Sequence, residues 1–245
     1  MPMTKTAILS ASGIDKRFGA LVVLENVDFA VAENEVIGIV GPNGAGKTTL
    51  MNVLSGTYAA DAGKIILNNA DVTNTSAPQR CQSGLSRTHQ IPRPFLGMTV
   101  FENVLVAASH GAAVSKNEAY DIAIDSLKFC DMVGIANRRA DNVGLLDRKR
   151  LELARALATK PKILLLDEIG GGLTDGEAGE LVETIRELAK RGISIVWIEH
   201  IVHVLLQVAK RLVCMADGKI IADGEPHSVM ANKTVVEAYL GKTPQ

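Results

Sequence analysis

The run Gly41-Pro42-Asn43-Gly44-Ala45-Gly46-Lys47-Thr48-Thr49 joins an apolar segment, Glu35 to Val40, to a helix-forming stretch, Leu50 to Leu54. Strand, glycine-rich loop and helix in that order build an anion cradle. Glycines let backbone N–H groups turn inward, and the helix start adds the positive end of its dipole. Lys47 is placed to reach β- and γ-phosphates, and the Thr48 hydroxyl to ligate Mg2+. The complete G-x-x-x-x-G-K-T pattern in this setting is a Walker A loop, and the expected ligand is a nucleoside triphosphate.

A second chemical site closes the apolar run Leu164-Leu-Leu-Asp167-Glu168, which delivers two carboxylates at the end of a buried strand. Open α/β sheets place their ligands at such ends. Asp167 is expected to hold magnesium, directly or through water, and Glu168 to polarise an attacking water; phosphoryl transfer needs little beyond positioning and charge neutralisation. Acids at a strand end also cap following helices. The Walker A loop upstream makes the phosphoryl-transfer reading of this Walker B pattern the stronger one. His89, His110, His203 and His227 show no metal-ligand spacing.

These residues need a scaffold, and 245 residues with 47% apolar content suffice for one large α/β domain or a core with an attached subdomain. A net charge of −1 offers no general attraction to nucleic acid, although Asp147-Arg-Lys-Arg150 forms a local basic run. The apolar runs are too short to span a bilayer and Met1 to Thr6 has no signal-peptide core, so a soluble chain with at most a peripheral membrane role is expected. Cys81, Cys130 and Cys214 have no C-x-x-C spacing and cannot all pair. They are read as buried packing thiols in a reducing compartment.

Periodicity supplies the elements. Short strands are expected at Ala7 to Ala11, Leu21 to Leu24, Val27 to Val31 and Lys64 to Leu67, with a turn at Phe18-Gly19. Thr99 to Ala107 and Glu118 to Met132 carry apolar residues at helical spacing, which predicts a helical insertion over 91–160. Strand Lys162 to Asp167, helix Glu177 to Lys190 with Gly192 as its stop, strand Ile193 to Ile198, helix Ile201 to Lys210 and a hairpin at Asp217-Gly218 complete the chain. The fold class is α/β: a P-loop NTPase core with a mainly parallel sheet, an N-terminal antiparallel β-subdomain and an α-helical insertion.

With the motifs in this order, the chain resembles the nucleotide-binding subunit of an ABC transporter over essentially its whole length. The resemblance implies the ABC ATPase fold as one domain over 1–245, with 1–90 and 161–245 as catalytic core and 91–160 as helical subdomain. It implies that Gln90, in Arg87-Thr-His-Gln90, opens the Q-loop and senses the γ-phosphate through magnesium or water. His200, after the strand Ser194 to Glu199, matches the switch histidine, and Phe18 fits the aromatic that stacks on adenine. ATP and Mg2+ are the implied ligands. The implied partners are a second ATP-binding subunit, transmembrane permease subunits touching Ile91 to Phe101 and, indirectly, a solute-binding protein, with no nucleic acid. The implied location is cytoplasmic, on the inner face of the cell membrane. Within the family, Arg87 to Val104, Arg150 to Arg155 and Val235 to Gly241 look like the branched-chain amino acid importers, although related subunits also power exporters.

Two departures stand out. Where the family carries L-S-G-G-Q, this chain has Val143-Gly144-Leu145-Leu146-Asp147: the serine hydroxyl is gone, two leucines add bulk and Asp147 adds negative charge, unless it serves only the helix end. After Glu168 the usual proline is Ile169, and Thr174 stands where an acid is expected. Groups used within the subunit are intact and groups donated to its partner are eroded, which suggests an asymmetric heterodimer. The alternative is a soluble nucleotide-gated binding module of the same fold.

Overall fold

A computed structural model describes residues 7–112 and 114–240, so Met1 to Thr6 and Gly241 of the carboxyl-terminal segment fall outside the described residues. β1 (Ala7–Phe18) and β2 (Leu21–Ala32) form an antiparallel hairpin, followed by β3 (Val36–Val40), α1 (Lys47–Leu54), β4 (Ala62–Leu67), β5 (Ala70–Asp71), α2 (Ala77–Gln82) and β6 (Leu85–Arg87). Three helices come next, α3 (Val100–Gly111), α4 (Lys116–Phe129) and α5 (Leu145–Ala158), then β7 (Ile163–Asp167), α6 (Asp175–Lys190), β8 (Ser194–Ile198), α7 (Val202–Leu205), β9 (Arg211–Ala216), β10 (Lys219–Gly224), α8 (Pro226–Met230) and α9 (Lys233–Leu240). One sheet has the order β2-β1-β4-β5 and is antiparallel; the other runs β10-β9-β3-β8-β7-β6, parallel except at the β10 edge.

The central parallel strands β3, β7 and β8 are apolar on both faces, as strands covered on both sides must be. Alternation divides them between two cores. Ile37, Ile39, Ile163, Leu165, Val196 and Ile198 pack with Leu50 and Leu54 of α1 and with the antiparallel sheet. Val36, Val40, Leu164, Leu166, Ile195 and Trp197 face Ile185 of α6 and the buried positions of α3, α4 and α5. The three inserted helices pack on one another and share that second cluster with the sheet.

Local chemistry sets the helix starts. Thr99 with Glu102, Ser115 with Glu118 and Thr174 with Glu177 form capping boxes, which bring α6 in two residues before the apolar pattern does. Several expectations change. Leu21 to Leu24 and Val27 to Val31 are one strand, because Asn26 enters the left-handed region (φ 49°) as a bulge and its N–H donates to Asp15 Oδ1 at 2.7 Å. The helix expected to Lys210 ends at Leu205, since Gln207 and Val208 tighten to i→i−3 bonds and the Lys210 N–H is drawn to Val36 O at 3.1 Å, starting β9. The basic run is consumed internally: Arg148 donates to Val143 O and Asp141 O, Lys149 is buried, and Arg150 pairs with Glu180 at 2.5 Å. Cys130 and Cys214 are buried, their thiols pushed up to about 12 and about 11 by burial, whereas Cys81 is only half-buried.

Arg80, 1% exposed, ties the end of α1 to the rest of the core. It donates to Val53 O, Leu54 O, Thr73 O and Thr75 Oγ1, satisfying last-turn carbonyls of the loop-bearing helix. Arg80→Met keeps the stem and removes these donors; denaturant unfolding should show a loss of about 2–4 kcal/mol.

Candidate functional site

Four neighbouring parallel strands deliver the site at their carboxyl ends. β3 leads into the glycine loop, β8 into Glu199-His200, β7 into Asp167-Glu168 and β6 into Thr88 to Gln90. The loop conformation requires glycine at Gly41 and Gly46: a Cβ on Gly41 (φ 143°) would lie 2.1 Å from Met215 O, and one on Gly46 (φ 99°) 2.8 Å from Val23 O. Pro42 O accepts from Ala45 N at 3.2 Å and closes the turn. Asn43, Gly44, Ala45, Gly46, Lys47, Thr48 and Thr49 line one concavity together with Val23 and Glu168. Lys47, nearly buried, donates to Gly41 O at 2.7 Å and Pro42 O at 2.9 Å. Its burial pulls the ammonium below the usual lysine range, opposed by the charge of Glu168.

Across the loop, Thr48 Oγ1 lies 3.4 Å from Asp167 Oδ1. Asp167 is buried; that burial pushes its carboxyl up, Arg87 pulls it down, and Glu168 pushes it up again. Glu168 sits in the left-handed region (φ 48°), a conformation that costs a non-glycine residue on the order of 1–3 kcal/mol and persists only where the surroundings enforce it. Its N–H is held by Ile198 O at 2.9 Å and its carbonyl by Lys149 Nζ at 3.2 Å. Its carboxylate accepts from Gln90 Nε2 and pairs with His200 Nε2 at 2.8 Å. Gln90 and His200, read from separate motifs, thus converge on the Glu168 carboxylate.

Phe18 is not brought into this group. As the last residue of β1 it is 44% exposed and meets Tyr58 edge-on at 5.3 Å, with Lys16 Nζ 5.5 Å from its ring; Val23, not Phe18, lines the loop concavity. None of Val143 to Asp147 lines the loop concavity. Gly144 is the N-cap of α5 without a side-chain bond, Asp147 lies in its first turn, and Leu145 is 46% exposed. Asp147 therefore sits where a carboxylate favours the helix dipole. Thr174 caps α6, doing with a hydroxyl what an acid would do with a charge.

Several residues were missed by the motif reading. Arg87 donates to Asn52 Oδ1 at 2.6 Å and reaches Asp167 Oδ2 at 3.4 Å, and Thr88 Oγ1 accepts from Asp167 N at 3.3 Å. Lys149 also holds Gln90 O at 3.1 Å, linking α5 to both the Gln90 loop and Glu168. Buried Glu199 accepts Gly170 N at 2.7 Å and Trp197 Nε1 at 3.1 Å with a single oxygen. The only sequence signal for Glu199 was an acid ending an apolar strand beside His200.

Strand, glycine cradle and helix facing an Asp-Glu pair define a P-loop ATPase. A family model described as ABC transporter matches residues 24–170, and one described as branched-chain amino acid ATP-binding cassette transporter matches 219–243. The high-affinity branched-chain amino acid transport ATP-binding protein LivG of Escherichia coli (strain K12) is 35% identical, over 96% of this chain and 98% of that protein. BraF of Pseudomonas aeruginosa, of the same description, is 33% identical with the same coverage. Among solved structures, a nucleotide-free ATP-binding cassette from an ABC transporter superposes with a TM-score of 0.87 at 31% identity, over 96% of this chain and 100% of that one. The ADP conformation of an ATP-binding cassette gives 0.85 at 32% identity, over 96% and 99%. The chain belongs to the ABC transporter ATP-binding family and is an ATPase of that class. No helix among the described residues is long and apolar enough to cross a membrane.

Glu199 provides a test of the geometry behind Glu168. Burial pushes its carboxyl above the usual range, so Glu199→Gln, which keeps an amide oxygen for both donors, should preserve most of the stability. Glu199→Ala leaves two buried N–H groups unpaired and should cost about 2–4 kcal/mol in denaturant unfolding.

Proposed function

We propose that this chain is the ATP-binding subunit of a membrane importer for branched-chain or related amino acids, energised by ATP binding and hydrolysis. The observation that carries this is the meeting of Gln90 and His200 on Glu168 at the rim of the glycine cradle. The names of the similar proteins support the solute class.

In this reading Gly41 to Thr49 cradle the phosphates, Lys47 turning its ammonium from the loop carbonyls to the β- and γ-phosphates. Thr48, Asp167 and Gln90 would hold Mg2+. Their hard oxygens suit that ion, and Asp167, whose carboxyl burial and Glu168 push up, fits a site completed by a divalent charge. The ion, when bound, neutralises charge developing on the phosphates. Glu168 orients and deprotonates the attacking water, while Gln90 and His200 hold that carboxylate and register the γ-phosphate. The whole chain acts as one domain, with 91–160 as the helical part that passes motion to a permease. Ile91 (73% exposed), Phe95, Leu96 and Met98 offer that partner an apolar surface. The subunit then works at the inner face of the cell membrane.

The partner subunit is a different chain. Val143 to Asp147 presents leucine side chains and a carboxylate where a partner's γ-phosphate needs donors, so the site facing it turns over poorly, while this chain's own nucleotide is hydrolysed against the partner's intact signature. A nucleotide-gated module outside transport would share that erosion; the nearly full-length similarity to transport subunits favours the transporter.

ATPase activity of the purified chain alone should be low, rise by roughly tenfold or more when a second ATP-binding subunit of the same transporter is added, and vanish with Glu168→Gln in this chain. Robust activity of the isolated chain, abolished by Glu168→Gln, would overturn the asymmetry.

A further inference from the structure

The carboxyl-terminal segment Val235 to Tyr239 has so far served only as a mark of resemblance. In the structure it reaches the nucleotide loop: the Gly41 N–H donates to the Tyr239 hydroxyl at 2.7 Å, across 198 residues of chain. We propose that Tyr239 is a positioning residue for the Walker A loop, and that docking of α9 and nucleotide affinity are therefore coupled. The proposal rests on the reading of Gly41 to Thr49 as the nucleotide cradle.

The geometry behind it is specific. The parallel ladder ends at Val40, paired with Cys214, and at Ile39, paired with Ile198, so the Gly41 amide is the first past the sheet. A backbone N–H there needs a partner from outside the ladder. Tyr239 supplies it. The Gly41 carbonyl, on the next peptide, accepts Lys47 Nζ at 2.7 Å, and Met215 O fills the space where a side chain would stand. Gly41 is thus held at both of its peptide planes, one by the lysine that serves the phosphates and one by α9. Releasing either plane frees a φ or ψ that no side chain limits at glycine.

Helix α9 is built to bring that hydroxyl in. Val235 and Tyr239 are spaced i, i+4 and share one face. Val235 is fully buried in the same core as the sheet, and α9 packs on α8 and β10. The apolar residue anchors the helix and the tyrosine, four residues on, extends to the loop. β10, α8 and α9 fall within the segment, 219–243, matched by the branched-chain amino acid cassette model.

Coupling is reciprocal: if α9 favours the binding conformation of the loop, nucleotide must favour docked α9. Tyr239→Phe keeps the ring and removes the acceptor. Titration with a fluorescent ATP analogue and Mg2+ should show affinity weakened about fivefold, the worth of one hydrogen bond. The thermal midpoint without nucleotide should fall by about 2–4 °C, because the buried Gly41 N–H loses its partner, and the upward shift produced by Mg-ATP should shrink as well. A merely structural tyrosine would lower the midpoint equally with and without Mg-ATP and leave affinity alone. In the parent chain, amide hydrogen exchange over 233–240 should slow when Mg-ATP is added. Unchanged affinity in Tyr239→Phe, or exchange over 233–240 indifferent to Mg-ATP in a parent chain that binds it, would overturn the proposal. A parent chain that binds no Mg-ATP would instead refute the nucleotide reading on which it rests.

Discussion

Everything in this fold is arranged around an opposition of charge: a lysine in the glycine-rich loop at the end of β3 and two carboxylates at the end of β7, with only β8 between the two strands. A parallel sheet makes this confrontation rigid, because strand ends set side by side by backbone hydrogen bonds cannot drift apart without breaking the ladder. The apolar side chains on both faces keep those strands buried, and burial in turn makes the charges at their ends matter.

The balance is visible in the titrating groups. Desolvation pulls Lys47, Arg87 and Lys149 down and pushes Asp167 and Glu199 up, and in each case an oppositely charged neighbour opposes the shift. Glu168, held in a strained backbone conformation by Ile198 and Lys149, is the point where three elements meet. Lys149 carries this contact from the inserted helices, one ammonium group tying α5 to both Gln90 and Glu168.

What could be read from the sequence was whatever depends on neighbours in the chain. The glycine loop, the Asp167-Glu168 strand end, the β8 strand before His200 and the Asp217-Gly218 hairpin are local patterns, and the structure contains them. The α-helical insertion was likewise visible in its period, as was the stop at Gly192, which has φ 83°. The failures share a cause. Asn26 bulging without breaking β2, Lys210 drawn away from α7, and Lys149 and Arg150 absorbed by residues of other elements are all settled by contacts between elements. The same is true of Arg87, Lys149, Glu199 and Tyr239, whose residue types alone announce nothing.

The central claim, that the Lys47 loop and the Asp167-Glu168 pair together hold a triphosphate with its metal ion, is tested most directly by calorimetry. Titrating Mg-ATP into the chain should give a saturable heat with one site per chain, and Lys47→Ala should lose it while unfolding at a similar temperature. An absence of heat for the parent chain, or association unaltered by Lys47→Ala, would contradict the account.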